Sequence, residues 1–303
     1  MTRQRNKENY DVRPDLIHVQ HFSNWPLGAL QVLVASRIRF LISFHDLFAI
    51  TPDAGMTHAE DPLKCFTAEY AVAAFGHDVS ESLHARRKLL TRLLPAAAAR
   101  VVVSPYTKRM MERVYPLTYR EIEYGVDEFV PSQRLASDSL RFGFVGNLRV
   151  HKGWRVLADA FGQVRSRHPA VECRFYGAGD EPVPAPGVTY CGGYTRADLP
   201  RICSEIDVAV IPSIFRETYC MVLSEMWMGG LPVAVSDLGA LADRVVDGVS
   251  GRKFSPGDSA ALAGVLDWFI ERPDIWRNWR PARPRTTTEM IADYERLYHE
   301  LLT

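Results

Sequence analysis

The sequence is short of paired cysteines, of net charge and of long apolar runs, and each shortage excludes something. Its five cysteines (Cys65, Cys173, Cys191, Cys203 and Cys220) are odd in number and never spaced as Cys-x-x-Cys. That pattern gives neither a disulfide framework nor a zinc site. It suits reduced thiols in a cytoplasmic chain, each read as a small buried hydrophobe. Its 36 basic and 36 acidic side chains cancel, so no global field recruits nucleic acid. The most apolar stretch, residues 27–48, is interrupted by Arg37 and Arg39 and cannot span a bilayer. The N-terminal MTRQRNKENYDVRPD has no apolar core and does not read as a signal peptide. No Asp-x-Asp element occurs, which removes the obvious clamp for a divalent metal. Internal repeats and low-complexity tracts are also missing.

What is present is material for two α/β domains: 303 residues, 47% of them hydrophobic, enough for two cores. From residue 141 onward, short apolar runs alternate with helical periodicities. Residues 141–145 (RFGFV), 171–176, 188–191, 207–211 and 231–235 read as strands. Leu157, Ala160, Phe161 and Val164 recur at i, i+3, i+4 and i+7, the stripe of a half-buried helix. Further helices are expected at 218–228, stopped by Gly229-Gly230 and followed by Pro232, around 241–246, and at 259–270. Strand–helix alternation with near-continuous apolar strands predicts a parallel sheet covered on both faces. One doubly wound domain is therefore placed in residues 138–280.

Residues 1–137 show the same grammar with less of it. Strands are expected at 16–21, 40–44 and 100–103, helices at 27–36, 83–94 and 106–114, and 122–126 leads into a polar linker at 131–139. About three strands are few against a usual ~5–6 per sheet, so the first domain is expected to be reduced. In the remaining segment, 281–303, Met290, Ile291, Tyr294, Leu297, Tyr298, Leu301 and Leu302 form one apolar stripe at helical spacing. Such a helix must dock on something.

In a parallel sheet the ligand crevice lies beyond the carboxyl ends of the strands. Three segments of the second domain converge there. GNLRVHKG (146–153) supplies Gly146, Asn147, Arg149 and Lys152. GAGDE (177–181) opens with Gly177. SIFRETYCMVLSE (213–225) holds Glu217 and, after seven intervening residues, Glu225. Free N–H groups around Thr218, Tyr219, Cys220 and Met221, at the start of the expected helix, make a phosphate site, to which Lys152 and Arg149 add charge. Glu217 can face a neutral polyol beside the phosphates. Glu225, ~12 Å further along the axis at 1.5 Å per residue, suits a second pair of hydroxyls beyond a diphosphate. A nucleotide sugar has that outline. Taken singly, each residue has a plainer reading: Glu225 as an ordinary exposed helix residue, Glu217 as an acid favoured by the macrodipole, Lys152 as a solvated turn. Their joint order favours the ligand.

The runs FGFVGNLRVHKGWRVLADAF, FYGAGDE and DVAVIPSIFRETYCMVLSEMWMGGLPVAVSDLGALADRVVDGVSG resemble the donor half of glycosyltransferase family 4, the group 1, retaining, GT-B glycosyltransferases. PDLIHVQHF, FLISFHDLFAITP, VVVSPYTKRMM and EIEYGVDEF are fainter echoes of its first half, and YERLYHELL is similar to the helix that crosses back to the first domain. The resemblance implies two Rossmann-like domains and transfer of a sugar from a nucleotide-diphosphate donor with retention and no metal. It also implies roles: Glu217 on the donor hexose, Glu225 on the ribose, Lys152 on the phosphates, and His45 meeting the transferred sugar from the first domain. A neutral imidazole there can orient the anomeric carbon; otherwise His45 is a strand-end histidine bonded to backbone.

Two departures stand out. Asn147 occupies the place where the family commonly has a basic residue, so one phosphate contact is expected to be lost or moved to Arg149. The family's opening strand, glycine-rich loop and helix have no counterpart upstream of PDLIHVQHF, so the expectation is either a reduced first domain or a chain that is a fragment or subunit of something longer, its missing elements supplied by a partner chain. A non-catalytic nucleotide-sugar-binding subunit is thus a competing reading, and a sugar-nucleotide epimerase a more distant one. Eight Lys/Arg against one acid between residues 83 and 113 add a question of place. The 83–94 helix puts Leu83, Leu89, Leu90, Leu93 and Leu94 on one face opposite Lys88 and Arg92. Either it packs on its sheet with a solvated basic face or it rests peripherally on the inner face of an anionic membrane. The arginine-rich WRNWRPARPR (276–285) reads as a surface crossover, with nothing to support a nucleic acid partner.

Overall fold

The computed structural model describes residues 14–21, 26–56, 58–133, 137, 139–180 and 185–303. Nearly all of the polar N-terminal stretch, Phe22 of PDLIHVQHF, part of the 131–139 linker and Glu181 of GAGDE lie outside them. In chain order the first half gives β1 (Leu16–Val19), α1 (Gly28–Ser36), β2 (Arg39–Phe44), α2 (Ala68–Phe75), α3 (Ser80–Leu93), β3 (Ala99–Val102), α4 (Pro105–Val114) and β4 (Arg120–Glu121). The second gives β5 (Arg141–Val145), α5 (Trp154–Arg167), β6 (Glu172–Tyr176), β7 (Val188–Gly192), α6 (Leu199–Glu205), β8 (Val208–Ile211), α7 (Met221–Met228), β9 (Val233–Ser236), α8 (Gly239–Arg244), β10 (Arg252–Phe254) and α9 (Ser259–Ile270). Then follow α10 (Pro273–Arg277) and α11 (Thr287–Leu302).

Two sheets result, of order β1-β2-β3-β4 and β10-β9-β8-β5-β6-β7. Every pairing between the described strands is parallel. Strands β5, β8 and β9 are buried along their whole length, which is why their sequences are apolar without alternation. On one face, Leu157, Ala160, Phe161 and Val164 of α5 pack with Leu262, Leu266 and Phe269 of α9. The side chain of Asp258 caps α9 by accepting from the Ala261 N–H. Beneath the sheet, the buried Arg141 guanidinium donates to both carboxylate oxygens of Asp207, each at 3.0 Å.

Among the described residues the first sheet has four strands, not about three. The residues expected to follow it, 122–126, make no further strand. Instead Val126 bridges Thr286, the N-cap of α11. That helix returns to the first sheet, where Leu297 is buried with Leu41, Ala99, Val101 and Ile122, contributing about 1.5–3 kcal/mol. Its apolar stripe is narrower than the sequence implies. Met290, Tyr294, Tyr298 and Leu301 join the contact, whereas Ile291 and Leu302 are about half exposed. On α3, Leu83 and Leu90 are buried in the first domain's core, and Arg86 and Arg87 lie over the rings of Phe48 and Phe66. The leucine side of α3 therefore packs on protein, the first of the two readings, and Lys88 and Arg92 are exposed.

Two tyrosines of α11 reach into the first sheet. Tyr298 Oη lies 2.7 Å from His18 Nδ1, and Tyr294 Oη lies 3.2 Å from Ser43 Oγ. Burial, aided by the neighbouring His45, pushes the His18 imidazole down to about 4. A histidine with its folded pKa below its unfolded value binds fewer protons folded than unfolded between the two. Stability is therefore full above pH 6.5 and declines as pH falls towards 4. The melting-temperature advantage of wild type over His18→Gln is expected to shrink across that window in thermal scans. An advantage independent of pH would contradict it.

Candidate active site

Strand order reverses between β5 and β8, since the chain runs outward through β6 and β7 and then returns to the other side of β5. Such a reversal opens a crevice at the carboxyl ends of the strands. Two loops line it, 146–153 after β5 and 212–220 after β8, joined by the Ile214 N–H donating to His151 O at 3.0 Å. Gly153 has φ +72°, and a Cβ there would stand 1.7 Å from Pro212 O; only glycine lets the loops meet this closely. Similarly, a Cβ on Gly177 would stand 1.7 Å from Gly146 O, so GAGDE packs backbone to backbone against the first turn.

This zipping sets Lys152 beside Glu217. Lys152 Nζ donates to Glu217 Oε1 at 2.7 Å, and the Ser213 hydroxyl donates to the same oxygen at 2.8 Å. Glu217 is 7% exposed. Burial alone would lower the lysine's pKa, but the Glu217 carboxylate outweighs it and holds Lys152 above its ordinary value. The pair borders a cavity of about 160 Å³ lined also by Gly146, Asn147, Tyr194 and Cys220. Whole small-molecule sites run to roughly 300–1,000 Å³, so this cavity alone is smaller than such a site.

The helix after Glu217 starts later than its sequence suggests. α7 begins at Met221, with Cys220 as a left-handed N-cap (φ +70°) and no side chain capping its first turn. Cys220 and Val222 line the cavity, so the open end of α7 points at it, with its positive partial charge. Thr218 and Tyr219 supply no helix amides and serve instead as a latch between the domains. The Thr218 hydroxyl donates to His45 O at 2.9 Å, and Thr218 O accepts from the Ser104 hydroxyl. Tyr219 is buried, its hydroxyl donating to Tyr124 O at 2.8 Å. Arg149 also departs from expectation. It turns away to Asp180, 3.4 Å distant, with its side chain 62% exposed, and is not among the cavity residues. Glu225 lies on the second turn of α7, and residues 217–220 precede the helix, so its ~1.5 Å rise per residue covers only the interval from Met221. Burial raises the Glu225 carboxyl above its usual range, and Arg196 draws it back. Glu225 is not among the residues lining the cavity, although its charge acts on Tyr194, which is.

Across the cleft, β2 delivers His45. Its Nδ1 faces the Tyr124 hydroxyl and its Nε2 lies 2.9 Å from Gln20 Oε1. Burial, with the nearby His21, lowers its pKa, so the ring is neutral at pH 7. The carboxyl edges of both sheets thus face each other, His45 on one side and the Lys152–Glu217 pair on the other.

The family model "Glycosyl transferases group 1" matches residues 139–272, and the model "Glycosyltransferase Family 4" matches residues 2–128. The chain belongs to glycosyltransferase family 4. It is 26% identical over 157 residues to glycogen synthase of Mycobacterium tuberculosis, a match covering 48% of this chain and 38% of that protein. It is 31% identical over 146 residues to phosphatidyl-myo-inositol mannosyltransferase of Propionibacterium freudenreichii, covering 48% of this chain and 36% of that one. The matched part thus spans under two fifths of these relatives. In three dimensions it resembles sucrose-phosphate synthase of Thermosynechococcus elongatus with a TM-score of 0.71 at 20% identity, over 95% of this chain and 73% of that one. The fold is GT-B.

For a family 4 glycosyltransferase, several neighbours of the candidate site escaped the sequence. Ser213 opens the third of the segments expected to converge, after Pro212, but the local sequence assigns it no role of its own. Arg244 carries no sequence signal, yet it lies 3.7 Å from the Tyr219 ring centre and donates to Tyr219 O at 2.7 Å. Gln20 and Tyr124 meet His45 from places remote in sequence. Among the described residues no three His, Cys, Asp or Glu side chains group as metal ligands, and no helix is long and apolar enough to cross a membrane.

Proposed function

We propose that this chain transfers a sugar from a nucleoside-diphosphate donor to an acceptor hydroxyl, with retention at the anomeric carbon and without a metal ion. The observation that carries this reading is the Lys152–Glu217 pair, at 2.7 Å, beside the uncapped start of α7 and opposite His45. The donor's diphosphate would lie along that helix start and draw Lys152 towards it. Glu217 would then accept from hydroxyls of the sugar, and Glu225 from those of the ribose. The bond from the anomeric carbon to the phosphate oxygen breaks, and the acceptor oxygen bonds to that carbon on the same face. The acceptor's proton leaves with the released nucleoside diphosphate. Charge on the departing diphosphate is met by Lys152 and the helix N–H groups, aimed there before reaction. His45, neutral, orients the sugar from the first domain.

The test is a panel of nucleotide sugars with the purified chain, following release of nucleoside diphosphate in EDTA and reading the product anomer by NMR. A donor that turns over with inverted product would refute retention, and turnover abolished by EDTA would refute metal independence. Binding without turnover, for any acceptor, would favour the donor-binding subunit. Lys152→Ala is expected to raise the donor KM and lower kcat/KM about 10- to 100-fold, the loss of one charge-assisted hydrogen bond to phosphate. Steady-state kinetics with a varied donor measure it.

A further inference from the structure

His45 is held by a chain of hydrogen bonds that begins in the cleft and ends on the C-terminal helix. The Tyr124 hydroxyl meets His45 Nδ1. His45 Nε2 meets Gln20 Oε1 at 2.9 Å, and Gln20 Nε2 meets His18 Nδ1 at 3.1 Å. His18 Nε2 meets Ser43 Oγ at 2.7 Å, and Ser43 Oγ meets Tyr294 Oη at 3.2 Å. Tyr298 Oη adds a second contact to His18 Nδ1 at 2.7 Å, from 280 residues along the chain.

With the Gln20 amide oriented as it is here, the chain has one sense. Gln20 Nε2 can only donate, so His18 Nδ1 accepts and His18 carries its proton on Nε2, donating to Ser43. Gln20 Oε1 can only accept, so His45 Nε2 donates and Nδ1 accepts from the Tyr124 hydroxyl. Burial keeps that phenol protonated, with its pKa well above the usual range. Tyr124 stacks on the imidazole with ring planes 9° apart, and Tyr219 of the second domain packs edge-on against it at 5.2 Å. Gln20, in turn, is exposed to solvent, so a ligand oxygen can replace its amide oxygen on His45 Nε2.

We propose that Gln20 and Tyr124 are positioning residues that hold His45 with its proton on Nε2, aimed into the cleft as a donor, and that α11 anchors this clamp through Tyr294 and Tyr298. The Gln20 amide oxygen keeps the place that an oxygen of the transferred sugar takes on binding. This rests on the reading that His45 faces the donor sugar, and it adds which nitrogen does so and what fixes it.

Long-range 15N–1H correlation spectra of the full chain test the clamp without a substrate. Wild type is expected to show His45 Nε2 as the protonated, pyrrole-type nitrogen and Nδ1 as the bare one. Tyr124→Phe and Gln20→Leu should each turn this into a mixture of tautomers, and Gln20→Glu, whose carboxylate accepts the same N–H, should preserve it. In release of nucleoside diphosphate, Tyr124→Phe is expected to lower kcat about tenfold with the donor KM within twofold of wild type, and Tyr298→Phe to lower kcat about threefold. A wild-type proton on Nδ1, or an unchanged tautomer in both Tyr124→Phe and Gln20→Leu, overturns the proposal. His45→Ala separates the two readings. If turnover survives that change while the tautomers behave as stated, the catalytic reading of His45 fails and the clamp stands. If His45→Ala abolishes turnover but Tyr124→Phe and Gln20→Leu leave kcat and tautomer alone, the clamp fails.

Discussion

Glu217→Gln is expected to fold as the wild type does and to lose about 100- to 1,000-fold in turnover, the cost of removing one preorganised polar partner of a transition state. Glutamine has the same length, and its amide oxygen can still accept from the Ser213 hydroxyl and Lys152 Nζ, which both meet Glu217 Oε1. What disappears is the negative charge proposed to accept from sugar hydroxyls. That charge also balances Lys152, so the lysine's cation faces the empty cavity alone in the variant. Donor binding should survive, because the groups proposed to hold the phosphates remain, and a melting temperature close to wild type would show that the loss is chemical. Undiminished release of nucleoside diphosphate would remove Glu217 from the site.

The second large effect concerns stability. Asp207→Asn is expected to cost about 3–5 kcal/mol, because it leaves a buried guanidinium without its countercharge. Arg141 and Asp207 have side chains only 3% and 4% exposed, and the Asp207 carboxylate also accepts from the Arg141 N–H at 2.9 Å. The asparagine can keep part of this geometry but none of the charge. A fall in melting temperature of roughly 5–15 °C follows. The paired change Arg141→Leu with Asp207→Leu removes both charges, and should recover much of the loss, since hydrophobic replacement of a whole buried pair is often near neutral. Differential scanning calorimetry of the single and double variants decides it. A double variant no better than Asp207→Asn would mean that the ladder contact, not the charge, matters.

The second domain was legible because its signals are local. Helix 259–270 was bounded to the residue, since Asp258 caps it and its apolar stripe is unbroken. The strands 141–145 and 207–211 announced themselves by continuous apolar runs. The start of α7 was misjudged by three residues because Thr218 and Tyr219 are drawn into the domain interface, a long-range demand that outweighs their local pattern. Arg149 was overrated for the opposite reason. It has a nearer acid in Asp180, which periodicity does not reveal. The fourth strand of the first sheet was missed because two residues, Arg120 and Glu121, carry no apolar run. The hydrogen-bond chain behind His45 joins residues 18, 20, 43, 45, 124, 294 and 298, and no motif connects positions so far apart.

The return of α11 to the first sheet has a consequence for synthesis on the ribosome. The apolar back of that sheet, Leu41, Ala99, Val101 and Ile122, is made by residue 122, yet Leu297, which packs on it, is made 175 residues later (297 − 122). At roughly 5–20 residues per second, this face waits on the order of ten seconds or more for its cover. Meanwhile the second domain, whose strands and helices are contiguous in sequence, can finish. The nascent first domain is therefore the stage at which a chaperone would find a client, and the C-terminal helix is the piece whose arrival releases it.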